Sequence, residues 1–261
     1  ASADDGAIAP PPHLALAVSL ATELRQQTLA GQTVNDAGAA LNDYASERVL
    51  IWKEDGNPFS ESRALCAQHV TRTYQRAYGW TDAQVKARFG ATSPTSEKYY
   101  IDIVSGVGFT EISSPAAFAP GDQIAIWYID DPRTGYPAVT GHTNFINTVT
   151  APVTYTYPNG TTVIYRDVEV IESSSGVRSR DSRSFAAGEL GPDSAAVTWK
   201  GQGIGWMRIY VDEADNYLGY TWSMTGNRTQ PPGTPASWTY YSANFIPESV
   251  RHFVVGRVVP P

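Results

Sequence analysis

Pro120-Gly121-Asp122-Gln123-Ile124-Ala125-Ile126-Trp127-Tyr128-Ile129, followed after a polar insert by Gly141-His142-Thr143-Asn144-Phe145-Ile146-Asn147-Thr148-Val149, marks where the chain turns from helix to sheet. Both runs are rich in Ile, Val, Phe and Trp, and each is entered through glycine, the pattern of a strand following a turn. From about Phe109 onward the period stays near two, with Gly, Pro, Asn and Thr as punctuation. The runs at 123–129, 142–149, 163–172, 205–211, 218–223 and 252–258 are the expected strands. Pro158-Asn159-Gly160 is an expected hairpin turn.

Upstream of that point the pattern is helical. Leu14, Ala17, Val18, Ala21 and Leu24 recur at helical spacing, with Gly31 as a stop. A second helix is expected between a cap at Thr33 or Asn35 and Trp52, carrying Leu41, Tyr44, Ala45 and Val49 on one stripe. A third, capped by Ser60 or Ser62, holds Cys66, Val70, Thr73, Tyr74 and Ala77 on one face and ends at Gly79. Shorter helices follow Thr81 and Pro94. Helices first and an antiparallel sheet after predict an α+β fold, with N-terminal helices packed on the sheet. The expected division is bracing helices over residues 1–59, a core over 60–175, and C-terminal strands over 176–261.

Composition narrows the function. The chain of 261 residues is 42% hydrophobic and 17% charged, with a net charge of -7 from 19 basic and 26 acidic residues, so no overall field draws it to nucleic acid or anionic lipid. One cysteine forbids an internal disulfide, and with four scattered histidines it leaves no structural zinc cluster; no metal or cofactor is expected. Asp212, Glu213 and Asp215 lack the spacing of a calcium loop. The stretch at 14–30 carries Glu23, Arg25, Gln26 and Gln27, and no window reads as a membrane span. Ala1-Ser2-Ala3-Asp4 looks like the product of signal-peptide cleavage, as a trimmed chain also would; a secreted or periplasmic location is the expectation. The sequons at Asn159 and Asn227 and the Pro-rich spacer at 230–235 carry no functional weight.

Three residues can work together. Cys66 lies near a helix start, where unpaired N-H groups and the helix dipole favour thiolate and can hold an oxyanion. His142 opens a buried strand and can act as its base, sharing a strand face with Asn144 and Ile146. Glu172 ends the apolar row of Val168 and Val170 and can orient the imidazole. Each also has a plain structural reading: a small core residue, a histidine bonded to a nearby carbonyl, and a strand-end carboxylate in water. His69, three residues from Cys66, and His252 are not assigned catalysis. Arg178, Arg180 and Arg183 form a basic patch that can exchange ion pairs with Asp181 and Glu189 in a solvated loop, or meet a substrate carboxylate.

The segment Leu65-Cys66-Ala67-Gln68-His69-Val70-Thr71-Arg72-Thr73-Tyr74-Gln75-Arg76-Ala77 resembles the nucleophile helix of NlpC/P60 peptidases and the related CHAP amidases. Pro120-Gly121-Asp122-Gln123-Ile124 is similar to their strand entry, Gly141-His142-Thr143-Asn144-Phe145-Ile146 to their Gly-His strand, and Val170-Ile171-Glu172-Ser173 to the strand bearing the third polar residue. The similarity spans about Ser60 to Ser175. Leu65 and Ala67 flank the cysteine where the family usually has polar neighbours. The resemblance implies a papain-like bacterial cysteine peptidase or amidase acting on an amide through an acyl-enzyme, with peptidoglycan stem peptide as a candidate substrate. The alternatives are a catalytically silent binding or scaffold module on the same fold, and an acyltransferase.

Overall fold

A computed structural model describes residues 10–129, 140–156, 162–224 and 245–260. The expected turn at 158–160, the insert at 130–140 apart from Thr140, the Pro-rich spacer and both sequons lie outside the described residues.

Helix α1, Pro12–Leu29, begins with proline in its first turn and buries Leu14, Ala17, Leu20, Ala21 and Leu24 along one face. The second expected helix is absent. Residues 33–52 form instead the short strands β1, Asn42–Asp43, and β2, Val49–Ile51. Local turn chemistry overrides the helical spacing of the apolar residues here. The Asn35 side chain accepts from the N-H groups of Ala37 and Ala39, and Gly38 takes a left-handed conformation. Leu41 and Trp52 still reach the core, packing on Leu20 and Leu24 of α1.

Strand β3, Glu61–Arg63, pairs with both β1 and β2 and delivers the chain to α2, Cys66–Tyr78. The helix start therefore falls later than a Ser60 or Ser62 cap would put it. Leu65 is the N-cap, and the Gln68 side chain accepts from the Leu65 N-H at 3.1 Å. Ser60 is engaged elsewhere, with its N-H on Gln27 and its hydroxyl accepting from the Lys53 N-H. The consequence is that Cys66 is the first helical residue. Helices α3, Asp82–Phe89, and α4, Ser96–Val104, follow, capped by the hydroxyls of Thr81 and Thr95.

All six expected strand runs are strands. With β4, Phe109–Glu111, come β5, Gln123–Trp127; β6, Gly141–Val149; β7, Val153–Thr156; and β8, Thr162–Ser174. The short strands β9, Ser184–Phe185, and β10, Val197–Thr198, pair with each other. Then follow β11, Gly201–Val211; β12, Tyr217–Thr221; β13, Ile246–Pro247; and β14, His252–Val258. The main sheet has the order β13-β12-β11-β8-β6-β5-β14-β4, with β7 on β8, and its pairings are antiparallel. The protein is thus α+β, with strands from both the middle and the last third of the chain in one sheet.

Strand alternation sorts the core into two clusters. Val70 and Tyr74 of α2, Val85 and Phe89 of α3, and Tyr99 and Ile103 of α4 meet Ala125, Phe145 and Ile171. Ile124, Ile126, Ile146, Val168 and Val170 point into the other cluster with Met207 and Ile209. At about 25 cal/mol per Å² of apolar surface, burial of this kind on both faces is the main term holding the sheet. Among the described residues no helix is long and apolar enough to cross a membrane.

Candidate active site

Pairing between β6 and β8 stops at Phe145 opposite Ile171. Beyond that point Gly141–Asn144 pairs only with β5, and Glu172–Ser174 only with β11, so the two strands part. Even-numbered residues of β6 direct their backbone groups to the β5 side, as the exchange between Ile146 and the turn at Gly121 and Asp122 shows. The odd-numbered Thr143 N-H therefore faces the gap. An N-H left without its ladder partner needs another acceptor, and the Cys66 sulfur lies close enough for that N-H to favour its thiolate. The Ser173 hydroxyl donates to the Ala64 carbonyl at 2.6 Å, tying the approach to α2 onto the end of β8. In this way the end of the ladder makes the place for the thiol.

His142 is 6% exposed, Cys66 5% and Glu172 fully buried. Imidazole Nε2 donates to Glu172 Oε2 at 2.7 Å, which leaves Nδ1 as the ring nitrogen available to the neighbouring Cys66 sulfur. Glycine precedes His142 because nothing larger fits: a Cβ on Gly141, at φ 152°, would lie 1.9 Å from the Ile126 carbonyl oxygen and 3.2 Å from Ser96 Cβ. The three residues singled out from the sequence are in one relay, in the order thiol, imidazole, carboxylate.

Their electrostatics follow from that contact. Burial pushes the Cys66 thiol up, but the adjacent His142 charge and hydrogen bond, with help from Ser96 and the Thr143 N-H, outweigh it and bring it down to about 7. Burial alone would lower His142, yet the Cys66 and Glu172 charges raise it to about 9. Burial likewise opposes ionisation of Glu172, and Arg178, His142 and Arg183 overcome it and hold the carboxyl well below its ordinary range. These shifts favour thiolate and imidazolium above about pH 7, where an ordinary thiol and imidazole would both be neutral.

Two further hydroxyls touch the sulfur. Tyr44 donates to Sγ at 3.8 Å, and Ser96 Oγ lies 3.6 Å away. Tyr44 stays protonated because burial and then the Cys66 charge raise its phenol. Its position comes from Asn42, whose side chain both donates to the Gln202 carbonyl and accepts from the Gln202 N-H, fastening β1 to β11. Tyr44 falls on the helical stripe expected between 33 and 52, where β1 and β2 stand instead, and Ser96 carries no role in the sequence pattern. For Ser96 the legible signal was its place at the start of a helix; for Tyr44 there was none.

Of the basic patch, Arg180 is exposed as a solvated loop would have it, but Arg178 and Arg183 turn inward. Arg183 is 2% exposed and donates to Glu172 at 3.0 Å, to Asp181, and to the Gly201 carbonyl. Arg178 Nη2 donates to Glu172 Oε2 at 2.8 Å and its guanidinium lies 4.0 Å above the Trp222 ring. Asp181 is the partner that the sequence suggested, whereas Glu189 pairs with Arg25. His69 is fully buried against Phe145 beside the Gln202 side chain, and burial lowers it to about 4, so it is neutral. His252 pairs with Glu248 at 3.0 Å. Among the described residues no group of three or more His, Cys, Asp and Glu side chains is arranged to hold a metal.

The chain is similar to a viral protein. The uncharacterized protein R653 of Acanthamoeba polyphaga mimivirus is 22% identical to it over 225 residues, covering 83% of this chain and 87% of that one. No family model matches the chain, and no solved structure matches it.

Proposed function

We propose that the protein is a cysteine hydrolase that cleaves an amide bond through an acyl-enzyme, on a papain-like core of the NlpC/P60 kind. The observation that carries this reading is the relay of Cys66, His142 and Glu172 in the gap between β6 and β8, with the thiol lowered and the imidazole raised. The Cys66 thiolate attacks the carbonyl carbon, forming the S-C bond while the carbonyl electron pair moves to oxygen. The first-turn N-H groups of α2, which have no helical acceptor, and the Tyr44 and Ser96 hydroxyls are the donors available to that oxyanion. As the intermediate collapses the C-N bond breaks and His142 passes its proton to the leaving amine. Water then adds to the thioester, giving a proton to His142, and the S-C bond breaks to release the acid and restore the ion pair. Glu172 holds the ring with Nδ1 toward sulfur throughout.

A peptide amide, with bacterial wall stem peptide as first candidate, is the proposed substrate, and a secreted or periplasmic setting goes with it. Iodoacetamide at neutral pH should label Cys66 stoichiometrically, and His142→Ala should abolish the fast phase. Incubation with a panel of stem peptides should yield a new amine by mass spectrometry that Cys66→Ala does not produce. Labelling without cleavage would remove the substrate and leave the reactive pair; an inert Cys66 would remove the hydrolase.

A further inference from the structure

Glu172 is asked to do two things that conflict. It must hold His142 firmly enough to orient the ring, yet a buried lone carboxylate 2.7 Å from Nε2 would also keep the imidazolium proton from leaving. The structure surrounds this one carboxylate with two arginines, and they are not equivalent. Arg183 engages Oε1 and spends its other donors on Asp181 and on the carbonyls of Ser174 and Gly201, which fixes the fold of the segment after β8. Arg178 engages Oε2, the same oxygen that holds His142.

The surroundings of Arg178 are built for that contact. Its backbone N-H is held by Asp181 at 2.7 Å, and the next residue, Ser179, exchanges backbone hydrogen bonds with Trp206 of β11. Gly205 gives it room, since a Cβ there would meet Arg178 Cβ at 2.6 Å. The guanidinium stacks 4.0 Å above Trp222, and the Trp222 ring meets the His142 ring edge to face at 5.1 Å. Trp222 thus lies against both the arginine and the imidazole, and Glu172 Oε2 joins the same two groups by hydrogen bonds. A planar cation can lie over the indole and donate to Oε2 in one geometry, and it is its charge beside that oxygen that bears on the imidazolium.

We propose that Arg178 is a positioning residue for His142: stacked on Trp222 and sharing Glu172 Oε2, it weakens the hold of that carboxylate on the imidazolium and keeps the proton transferable to a leaving group. The inference rests on the hydrolase reading for the use made of that proton, but not for the contact itself. The titratable groups facing His142 are Cys66 and His69 from α2 and Glu172 from β8, with Arg178 and Arg183 behind Glu172; Tyr44 and Tyr128 face Cys66.

The test is the titration of the His142 ring, followed by heteronuclear NMR in the full chain. Arg178→Gln keeps a donor for Glu172 while removing the charge, and should move the His142 midpoint up by about one pH unit. Arg178→Lys keeps the charge and should leave the midpoint near that of the unaltered protein. Should the glutamine variant not fold, Arg178→Met, which refills the stem, carries the same expected upward shift. A charge-removing variant whose midpoint stays put, or falls toward the ordinary histidine value, overturns the proposal, as does a lysine variant that shifts as far as glutamine. A residue that only braced the fold would lower the melting temperature in all three and move no midpoint. The ring titrates whether or not the protein turns over, so an inert Cys66 together with the expected shift would sink the hydrolase and spare this inference.

Discussion

Cys66 ionises early because its partner, not its solvent, carries the compensating charge. Cys66 lies near 7 and His142 near 9, and the two titrate as a coupled pair, so the thiolate-imidazolium form is the main one between those values. Alkylation by iodoacetamide should therefore rise with pH through about 7, and turnover should fall again above about 9; a single rise near the ordinary thiol value would contradict the ion pair. Ser96→Ala and Tyr44→Phe each remove a hydroxyl from the sulfur and should raise the alkylation midpoint, with turnover falling by about 10-fold or more if the same hydroxyl serves the oxyanion. Glu172→Ala takes the carboxylate from buried Arg178 and from the His142 ring, while Arg183 keeps Asp181, and should cost about 3–5 kcal/mol in denaturant unfolding.

At the scale of elements, the site depends on where a ladder stops. The end of β6–β8 pairing frees the Thr143 N-H, and the glycine entry to β6 allows the strand to lie close on β5. Gly141→Ala should push β6 off the Ile126 carbonyl and displace His142. Its expected signature is a loss of Cys66 alkylation disproportionate to the fall in melting temperature, measured on the same sample. The entry glycine, the strand and the histidine were legible in the sequence because a turn and a two-residue period are local properties. The second helix was misread for an equally local reason: Leu41, Tyr44, Ala45, Val49 and Trp52 fit a helical stripe, while Asn35 and Gly38 set turns that a stripe does not register. That error hid Tyr44, whose approach to Cys66 depends on a strand docked by Asn42 onto Gln202, 160 residues away in sequence.

Across the whole molecule, acid stability is set by buried groups of opposite kinds. His69 is neutral when folded and titrates near 4 against an ordinary 6.5, so its contribution is fully present above about 6.5 and is lost as pH falls toward about 4. His13, bonded to Tyr78 and to the Gly121 carbonyl, is shifted down as well, burial being the largest cause, and adds in the same direction. Glu172 is held well below its ordinary 4.5; its contribution is present above that value and is lost as pH falls through the folded one. Melting temperature should thus decline in two stages on acidification, the first between about pH 6.5 and 4 and the second below it. His69→Gln should flatten the first stage alone, and an unchanged slope in that variant would remove His69 from the account.

Sequence by itself determined the α+β class, the six main strand runs, and the place of Cys66 near a helix start and His142 at a strand start, since periodicity and turn chemistry are written locally. It could not determine that Arg178 and Arg183 leave water for Glu172, that Ser96 and Tyr44 converge on the sulfur, or that Trp222 lies against His142. The hydroxyls and the indole come from elements distant in sequence, and the two arginines, only six and 11 residues after Glu172, are turned inward by a segment that pairs with β11. A charge, hydroxyl or indole has no fixed role until packing decides what stands beside it and how little water remains.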